Sequence, residues 1–278
     1  IWNRVTRHAV ETGTTTPSLR LVLMAGAPAP PDLLARFESM LTRPDAEVAT
    51  PYGATESLPT TVINAQEVLA ETADRTLEGA GTCVGRVLPG VDVRVVRITD
   101  DPIPTWTPDL EVPTGAPGEI CFAGPNVTKA YFRNDSATAL AKIHEMQPDG
   151  ATRVWHRIGD CGQLDADGRL WFYGRKKHRV VLPPAGDDDP RAEVERTIFS
   201  ECVEPLVNAH AEIYRSALVH LGAGRPGLVV EPEPGFWPRE QQQQNRLREW
   251  ILGQLEKTDA TRGQFSAEQI FFHRSLPV

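Results

Sequence analysis

The sequence predicts a mixed α/β protein in which a parallel-sheet part and a β-rich part precede a small, mobile C-terminal α+β domain. Near the start, two short apolar runs flank a helical pattern, which is typical of a strand–helix–strand unit in a parallel sheet. From Gly79 the chain changes to short segments with the alternating pattern of strands. After Gly174 a basic run and a stretch rich in Pro and Asp precede a last group of helix and strand patterns. The length of 278 residues allows about two domains.

The strand–helix–strand unit is predicted from the Pro and Gly residues that bound its segments and from the spacing of its apolar residues. An apolar run at 19–24 indicates a buried strand, and Pro31 suits the first turn of a helix whose apolar residues recur at helical spacing. A second strand at 46–50 follows. The segment PYGATE, residues 51–56, would then lie at the carboxyl end of a strand, where open α/β sheets bind ligands.

The later elements are predicted to be short. In the β-rich part we expect strands at 91–98 and 118–123, a helix ATALAKI capped by residues 134–136, and a hairpin over 162–173 that turns at 167–168. In the small domain we expect helices near 191–208 and 239–255 and strands at 213–220, 227–231 and 269–273. The domain boundaries follow as 1–174 for the large part, 175–190 for a hinge and linker, and 191–278 for the small domain.

Composition excludes several classes of protein. Acidic residues number 37 against 29 basic ones, and the net charge of -8 argues against a dedicated nucleic-acid binder. No apolar run reaches the ~20 residues of a membrane span and no signal peptide is recognisable, so we expect a cytoplasmic protein. The four cysteines are widely spaced and the seven histidines form no metal-binding motif, which disfavours a zinc cluster or a disulfide framework.

The segment Tyr52-Gly53-Ala54-Thr55-Glu56 carries the strongest chemical pattern. An aromatic ring can stack on a base, a glycine lets the backbone approach a ligand, a hydroxyl can contact a phosphate and a carboxylate can hold Mg²⁺. These residue types in one loop predict a nucleotide site. Taken alone, the same segment is equally consistent with a turn and its capping threonine.

Two further segments are weaker on their own. Asp160, which follows Gly159, can accept both hydroxyls of a ribose, and Arg175 can donate to the sugar or balance a phosphate. The small residues of Gly26-Ala27-Pro28 allow close approach of a flat ligand. Each segment has an ordinary alternative, namely a common turn pair, a solvated basic run and a strand-to-helix loop.

The order of these segments resembles that of the acyl-adenylate-forming superfamily, which includes acyl-CoA synthetases, peptide-synthetase adenylation domains and luciferases. The resemblance covers nearly the whole chain, through AGAP, PYGATE, GTCVGRVLPGV, GEICFAGPNVTKAYFRNDSATALA, HRIGD and DADGRLWFYGRKK. Within the superfamily, the segments PYGATESLPTTVI, ATALAKI and GRLWFYGRKKHRV are most similar to the β-lactone synthetases of bacterial long-chain olefin biosynthesis.

The resemblance implies a role for each candidate residue. It assigns adenine stacking to Tyr52, the adenine pocket to Gly26, Ala27 and Pro28, the α-phosphate to Thr55, Mg²⁺ to Glu56, the ribose hydroxyls to Asp160 and support of the ribose to Arg175. The implied reaction is attack of a substrate carboxylate on the α-phosphorus of ATP, which yields an acyl-adenylate and pyrophosphate. In the β-lactone branch the 3-hydroxyl of a long-chain 3-hydroxy fatty acid then displaces AMP, without coenzyme A.

Three departures from the family pattern qualify this expectation. The glycine-rich phosphate loop has no match upstream of residue 51, and the C-terminal catalytic lysine has none before Val278. We therefore expect the chain to adenylate poorly or not at all by itself. His178 occupies a hinge position that is acidic in many acyl-CoA synthetases, which favours the lactone branch, although a solvated basic loop would explain it as well.

Two other hypotheses remain open from the sequence. A fatty acyl-CoA synthetase or fatty acyl-AMP ligase would share the adenylation chemistry, with coenzyme A as a further cofactor of the synthetase. A noncatalytic nucleotide-binding scaffold would also lack the phosphate loop and the lysine. Other enzymes of an olefin pathway are expected as partners through the resemblance alone.

Overall fold

A computed structural model of the chain describes residues 2–183 and 196–277. It contains two compact units, one formed by residues 1–73 and 82–172 and the other by residues 74–81 and 173–278. The predicted mixed α/β class is confirmed. Part of the predicted hinge and linker, residues 184–190, lies outside the described residues.

The helices and strands of the described residues are mostly short. The α-helices are α1 (Trp2–Thr12), α2 (Pro31–Met40), α3 (Ala65–Glu67), α4 (Ala73–Leu77), α5 (Asp135–Ala141), α6 (Glu204–Asn208) and α7 (Gln241–Leu255), with a π-helical segment (Val68–Thr72) joining α3 to α4. The strands are β1 (Leu21–Leu23), β2 (Glu47–Ala54), β3 (Ser57–Asn64), β4 (Thr82–Val87), β5 (Asp92–Val96), β6 (Gly118–Ala123), β7 (Lys142–Met146), β8 (Thr152–Leu164), β9 (Arg169–Arg175), β10 (Val180–Val181), β11 (Thr197–Ile198), β12 (Ile213–His220), β13 (Pro226–Pro232) and β14 (Ile270–Phe272). In the described residues, no helix is long and apolar enough to span a membrane.

The first unit is built on a single sheet of nine strands within the described residues. The strand order is β1-β2-β3-β4-β9-β8-β6-β5, and β7 pairs with β8. Strands β1 and β2 are parallel and α2 connects them, which confirms the predicted strand–helix–strand unit. Helix α2 buries the apolar face that its spacing predicted, namely Leu33, Leu34, Phe37 and Met40.

The strand predicted at 46–50 is longer than expected. Strand β2 continues through Tyr52 to Ala54, turns at Thr55 and Glu56, and returns as the antiparallel strand β3. The segment PYGATE is therefore the carboxyl end of a strand and a hairpin turn: its predicted position is confirmed, but residues 51–54 are strand rather than loop. The register shifts at Gly53, whose φ of 154° and close approach to the Ser57 carbonyl oxygen leave no room for a side chain. This bulge lets β2 continue to Ala54, beyond the end predicted at residue 50.

Among the described residues, two of the buried clusters pack on the central strands of the first unit. One cluster contains Val84, Ile120, Phe122, Val127, Ile158, Leu170 and Phe172, and Tyr52 packs against it. The other contains Val96, Ile103, Leu110, Cys121, Ala123, Ile143 and Trp155. Because β6 and β8 supply residues to both clusters, the central sheet is buried on both faces.

The second unit contains a three-stranded sheet in the order β12-β13-β14, as described in residues 196–277. Its core includes Leu228 and Val230 of β13 and Leu247, Ile251 and Leu255 of α7. The strands predicted at 213–220, 227–231 and 269–273 are confirmed, and so is the helix near 239–255.

The helix predicted near 191–208 was largely wrong. Residues 191–195 lie outside the described residues, and residues 197–198 form the short strand β11. Helix α6 begins only at Glu204, with Pro205 in its first turn. Proline has no amide hydrogen and clashes with the preceding turn of a helix, so a helix starts at this position rather than passing through it.

Candidate active site

Glu56 lies in the turn between β2 and β3, where one hydrogen bond holds its carboxylate and another holds its backbone carbonyl group. The Tyr131 hydroxyl donates to Glu56 Oε1 at 2.8 Å, and the Thr128 amide donates to the Glu56 carbonyl oxygen at 2.8 Å. The hydrogen bond from Tyr131 holds the pKa of Glu56 below its ordinary value, so the carboxylate is ionised at neutral pH. Thr55, the other residue of the turn, is exposed.

A buried basic pair lies behind this turn. Lys142 and His156 are cross-strand partners of β7 and β8, and they are 1% and 2% exposed. Lys142 Nζ donates to the Thr128 carbonyl oxygen at 2.5 Å and to Thr128 Oγ1 at 3.1 Å. It lies 5.8 Å from the centre of the Tyr131 ring, which also meets the His156 ring edge to face. Glu56, Thr128, Tyr131, Lys142 and His156 are called the Glu56 cluster below.

Burial sets the protonation of the Glu56 cluster. It lowers the pKa of Lys142 to about 8 and that of His156 to about 4, since the charged forms lose their hydration. Burial and the bond to Glu56 raise the pKa of Tyr131 to about 12. At neutral pH the cluster therefore contains one carboxylate, a mostly charged ammonium, a neutral imidazole and a neutral phenol.

The donor set at Glu56 fits Mg²⁺ held together with a nucleotide. Nowhere in the described residues do three or more His, Cys, Asp or Glu side chains form a group that could hold a metal ion by itself. Mg²⁺ usually takes one or two carboxylates together with substrate phosphates and waters rather than an all-protein cage. A single ionised carboxylate in a turn, beside the exposed hydroxyl of Thr55, meets that requirement.

Tyr52 and Asp160 come together although 108 positions separate them. The Tyr52 hydroxyl donates to Asp160 Oδ2 at 2.7 Å, and Asp160 is 2% exposed. The Tyr52 ring lies 5.6 Å from the Phe172 ring and 6.3 Å from the Phe122 ring. The structure thus brings two of the candidate nucleotide residues into contact. Adenine stacking and ribose binding remain predictions for them.

The other candidate residues lie in loops and turns. Gly26, Ala27 and Pro28 are exposed and follow β1, and since β1 and β2 are parallel, they lie at the same end of the sheet as the second half of β2. Arg175 and His178 belong to the second unit and are exposed, with His178 at the end of a 3₁₀ turn. Their proposed roles remain predictions.

Sequence reasoning missed the residues that surround Glu56. It placed Lys142 in the helix ATALAKI, whereas α5 ends at Ala141 and Lys142 begins β7. The β-branched Ile143 pairs with Trp155 in the sheet, and this buried position outweighs the helical pattern. Tyr131 carried no signal of its own beyond its place in the segment GEICFAGPNVTKAYFRNDSATALA, which resembles the family pattern. The β7 sequence KIHEM does not alternate regularly between apolar and polar residues, so it gave no clear signal of a strand.

Comparisons with known proteins agree with the fold and the segments described. Residues 1–132 match the family of AMP-binding enzymes. The chain is 44% identical over 234 residues to the olefin β-lactone synthetase of Xanthomonas campestris pv. campestris, an alignment that covers 82% of this chain and 39% of that protein. It is 45% identical over 222 residues to the olefin β-lactone synthetase of Stenotrophomonas maltophilia, covering 79% of this chain and 38% of that protein.

A solved structure extends the likeness to the whole fold. The amide bond synthetase McbA from Marinactinospora thermotolerans matches with a TM-score of 0.67 and 23% identity, covering all of this chain and 47% of that one. The chain spans about two fifths of the length of the two β-lactone synthetases. The fold, the family match and these identities confirm the resemblance drawn from the order of the motifs: the chain belongs to the acyl-adenylate-forming superfamily of AMP-binding enzymes.

Proposed function

We propose that the chain serves ATP- and Mg²⁺-dependent adenylation of a long-chain 3-hydroxy fatty acid, followed by closure to a β-lactone. The observation that carries the proposal is the placement of two carboxylates around one hairpin. Glu56 is oriented by Tyr131 in the turn, and Asp160 is buried against Tyr52 of the preceding strand. One carboxylate suits a metal, and the other suits the hydroxyls of a ribose.

The chain's own residues would contribute binding and orientation. Asp160 would accept from the ribose, with one of its oxygens fixed by the Tyr52 hydroxyl. Thr55 would donate to the α-phosphate from its exposed position in the turn. Bound Mg²⁺ would offset the charge that opposes the approach of a carboxylate to a triphosphate. Glu56 would hold that ion, since its pKa keeps it ionised at neutral pH.

The balance of the two steps identifies the products. A carboxylate oxygen of the acid forms a bond to the α-phosphorus while the bond to pyrophosphate breaks. The 3-hydroxyl oxygen of the same molecule then bonds to the acyl carbon, AMP leaves and the hydroxyl proton is released. The relatives at 44% and 45% identity are olefin β-lactone synthetases, which supports the ring closure.

The alternatives share part of this chemistry. In a fatty acyl-CoA synthetase, the thiol of coenzyme A would displace AMP instead of the 3-hydroxyl, whereas a fatty acyl-AMP ligase would form the adenylate without coenzyme A. In a noncatalytic scaffold, nucleotide binding would remain without pyrophosphate release.

Other olefin-pathway enzymes are proposed as partners from the relatives' names only. All four cysteines are buried thiols, which supports a reducing compartment such as the cytoplasm.

Product analysis separates these functions. The chain, and any longer natural form of it, is incubated with ATP, Mg²⁺ and a long-chain 3-hydroxy acid, with and without coenzyme A. From a longer natural form we expect AMP, pyrophosphate and a product lighter than the acid by one water, independent of coenzyme A, and from the chain by itself little or none of them. A product that requires coenzyme A would contradict the lactone proposal, and nucleotide binding with no pyrophosphate release in any form would favour the scaffold.

A further inference from the structure

We propose that Lys142 is a positioning residue for Glu56: its buried ammonium group holds Thr128 and lies against Tyr131, and these two residues hold the Glu56 backbone and carboxylate. The inference rests on the proposed function, because it assigns a metal to Glu56. It concerns a residue that does not itself reach the ligand, since Lys142 is 1% exposed.

The first connection runs through Thr128. The ammonium donates to both oxygens of this residue, at 2.5 Å to the carbonyl and at 3.1 Å to the side chain. The amide of the same residue donates to the Glu56 carbonyl oxygen at 2.8 Å. Thr128 is exposed, and its segment is also held by the β-bridge between Ser57 and Val127. Lys142 adds the two contacts that hold Thr128 itself, the residue whose amide bonds the Thr55–Glu56 turn.

The second connection runs through Tyr131. The ammonium nitrogen lies 5.8 Å from the centre of the Tyr131 ring, within the range of a cation–π contact. The Tyr131 amide donates to Thr138 Oγ1 at 3.0 Å, which fixes the backbone of the residue. The ring is thus held at its face and at its backbone, while its hydroxyl donates to Glu56 Oε1. Both connections end on the residue proposed to bind the metal.

The cost of burying Lys142 argues against a role in stability alone. Within residues 2–183 and 196–277 the ammonium forms no ion pair, and burial lowers its pKa to about 8. A methionine would fill nearly the same volume without the desolvation penalty. A side chain chosen only to pack this position would therefore be apolar.

The test compares Lys142→Met with Lys129→Met, a matched control that makes the same chemical change at an exposed lysine one residue from Thr128. Three quantities are measured on the whole chain: the affinity for Mn²⁺ in the presence of ATP, amide exchange at Thr128 without metal, and the free energy of unfolding by urea. For Lys142→Met we expect about tenfold weaker Mn²⁺ affinity, as for other residues that orient metal ligands. We also expect faster Thr128 exchange and unchanged or higher stability.

The controls and second variants keep the outcomes distinct. Lys129→Met should match the wild type in all three quantities, and Lys142→Arg should recover part of the Mn²⁺ affinity because it restores a donor. If Lys142→Met does not fold, Thr128→Ala tests the same connection at an exposed position, and we expect a smaller loss of affinity. Wild-type Mn²⁺ affinity and Thr128 exchange in the folded variant would overturn the proposal.

Failure of the proposed function would look different. If the wild-type chain does not bind Mn²⁺ with ATP, the assignment of a metal to Glu56 fails. Thr128 exchange in the metal-free protein still reports whether Lys142 fastens the turn. Faster exchange in Lys142→Met would then establish the positioning of Glu56 without the metal.

Discussion

Lys142 and Arg157 are two buried basic residues in one sheet, and they are satisfied in opposite ways. Arg157 Nη2 donates to Glu119 Oε2 at 2.7 Å, in an ion pair whose side chains are 2% and 1% exposed. Its guanidinium also donates to the carbonyl oxygens of Asp101 and Leu140. Among the residues that the structure describes, Lys142 contacts the two oxygens of one threonine and an aromatic face.

The two residues differ in surroundings: Arg157 is neutralised within the fold, whereas Lys142 lies beside the proposed metal site. His156, the partner of Lys142, and Arg157 are consecutive on β8, so their side chains point to opposite faces of the sheet. On one face a carboxylate neutralises the charge within the fold. On the other, the carboxylate near the ammonium is Glu56, which lies in the turn and is available to a metal. The proposal places the incompletely paired charge on the side of the sheet where the Glu56 cluster would hold a metal.

Breaking the complete pair should give the largest change. Arg157→Met leaves the Glu119 carboxylate buried without its cation, and we expect a loss of about 3–5 kcal/mol in the free energy of unfolding. Urea unfolding measures it. The double variant Arg157→Met, Glu119→Leu should recover much of the loss, since two apolar side chains can replace a buried pair. Wild-type stability of the single variant would contradict the claim that Arg157 neutralises Glu119 within the fold.

A third buried charge, in the second unit, extends the comparison to a carboxylate. Glu204 Oε1 accepts from the Leu218 amide at 2.9 Å, and burial, with a contribution from Glu201, raises the pKa of Glu204 to about 7. The folded state then binds a proton that the unfolded state releases near pH 4.5. The stability that this group contributes is present below pH 4.5 and is lost as the pH rises to about 7.

Glu204→Gln should remove that loss, because the amide keeps the acceptor and cannot ionise. We expect the variant to be more stable than the wild type by about 1–3 kcal/mol at pH 8 and equal to it near pH 4. Urea unfolding at both pH values measures the difference. Glu268→Gln, at an exposed carboxylate of the same unit, should change neither value. A constant difference between pH 4 and pH 8 would contradict the assignment.

The smallest effect is expected at the Glu56 cluster itself. Tyr131→Phe removes the hydroxyl that orients Glu56 Oε1 and keeps the ring above Lys142. We expect the affinity for Mn²⁺ with ATP to fall about tenfold, equivalent to about 1.4 kcal/mol. The pKa of Glu56, followed by carboxyl NMR, should rise toward its ordinary value, since the Tyr131 bond is the main cause of its lowering. An unchanged pKa would show that the bond does not hold the carboxylate.

The sequence predicted the fold where local pattern and packing agree. The periodicity of α2 and the alternation of β12 and β13 match their buried faces, so these elements are confirmed. The prediction failed where a single residue decides where a strand ends or where a helix begins. Gly53 lets β2 continue through a bulge, and Pro205 delays the helix that begins at Glu204. The bulge at Gly53 depends on contacts made after the chain has folded, whereas the effect of Pro205 is local stereochemistry that the helical pattern did not take into account.

From the sequence, the candidate site was predictable only where its residues follow one another along the chain. The segment from Tyr52 to Glu56 carries its chemistry in consecutive letters, and motif order linked it to Asp160. The hydrogen bond of Tyr131 with this segment joins residues 75 positions apart, and Lys142 is connected to the segment through Thr128 and Tyr131. No periodicity in one sequence encodes such pairings. They follow from the order of strands in the sheet, which brings β7 and β8 behind the turn.

The most direct test of the account is a titration of ATP into the wild-type chain and into Glu56→Gln, each with and without Mg²⁺. The variant keeps the shape of the side chain and an oxygen acceptor for Tyr131 while removing the negative charge. We predict that Mg²⁺ strengthens ATP binding to the wild type and has no such effect on Glu56→Gln, with ATP alone binding the two proteins similarly. An equal Mg²⁺ dependence in both proteins would contradict the placement of the metal–nucleotide site at Glu56.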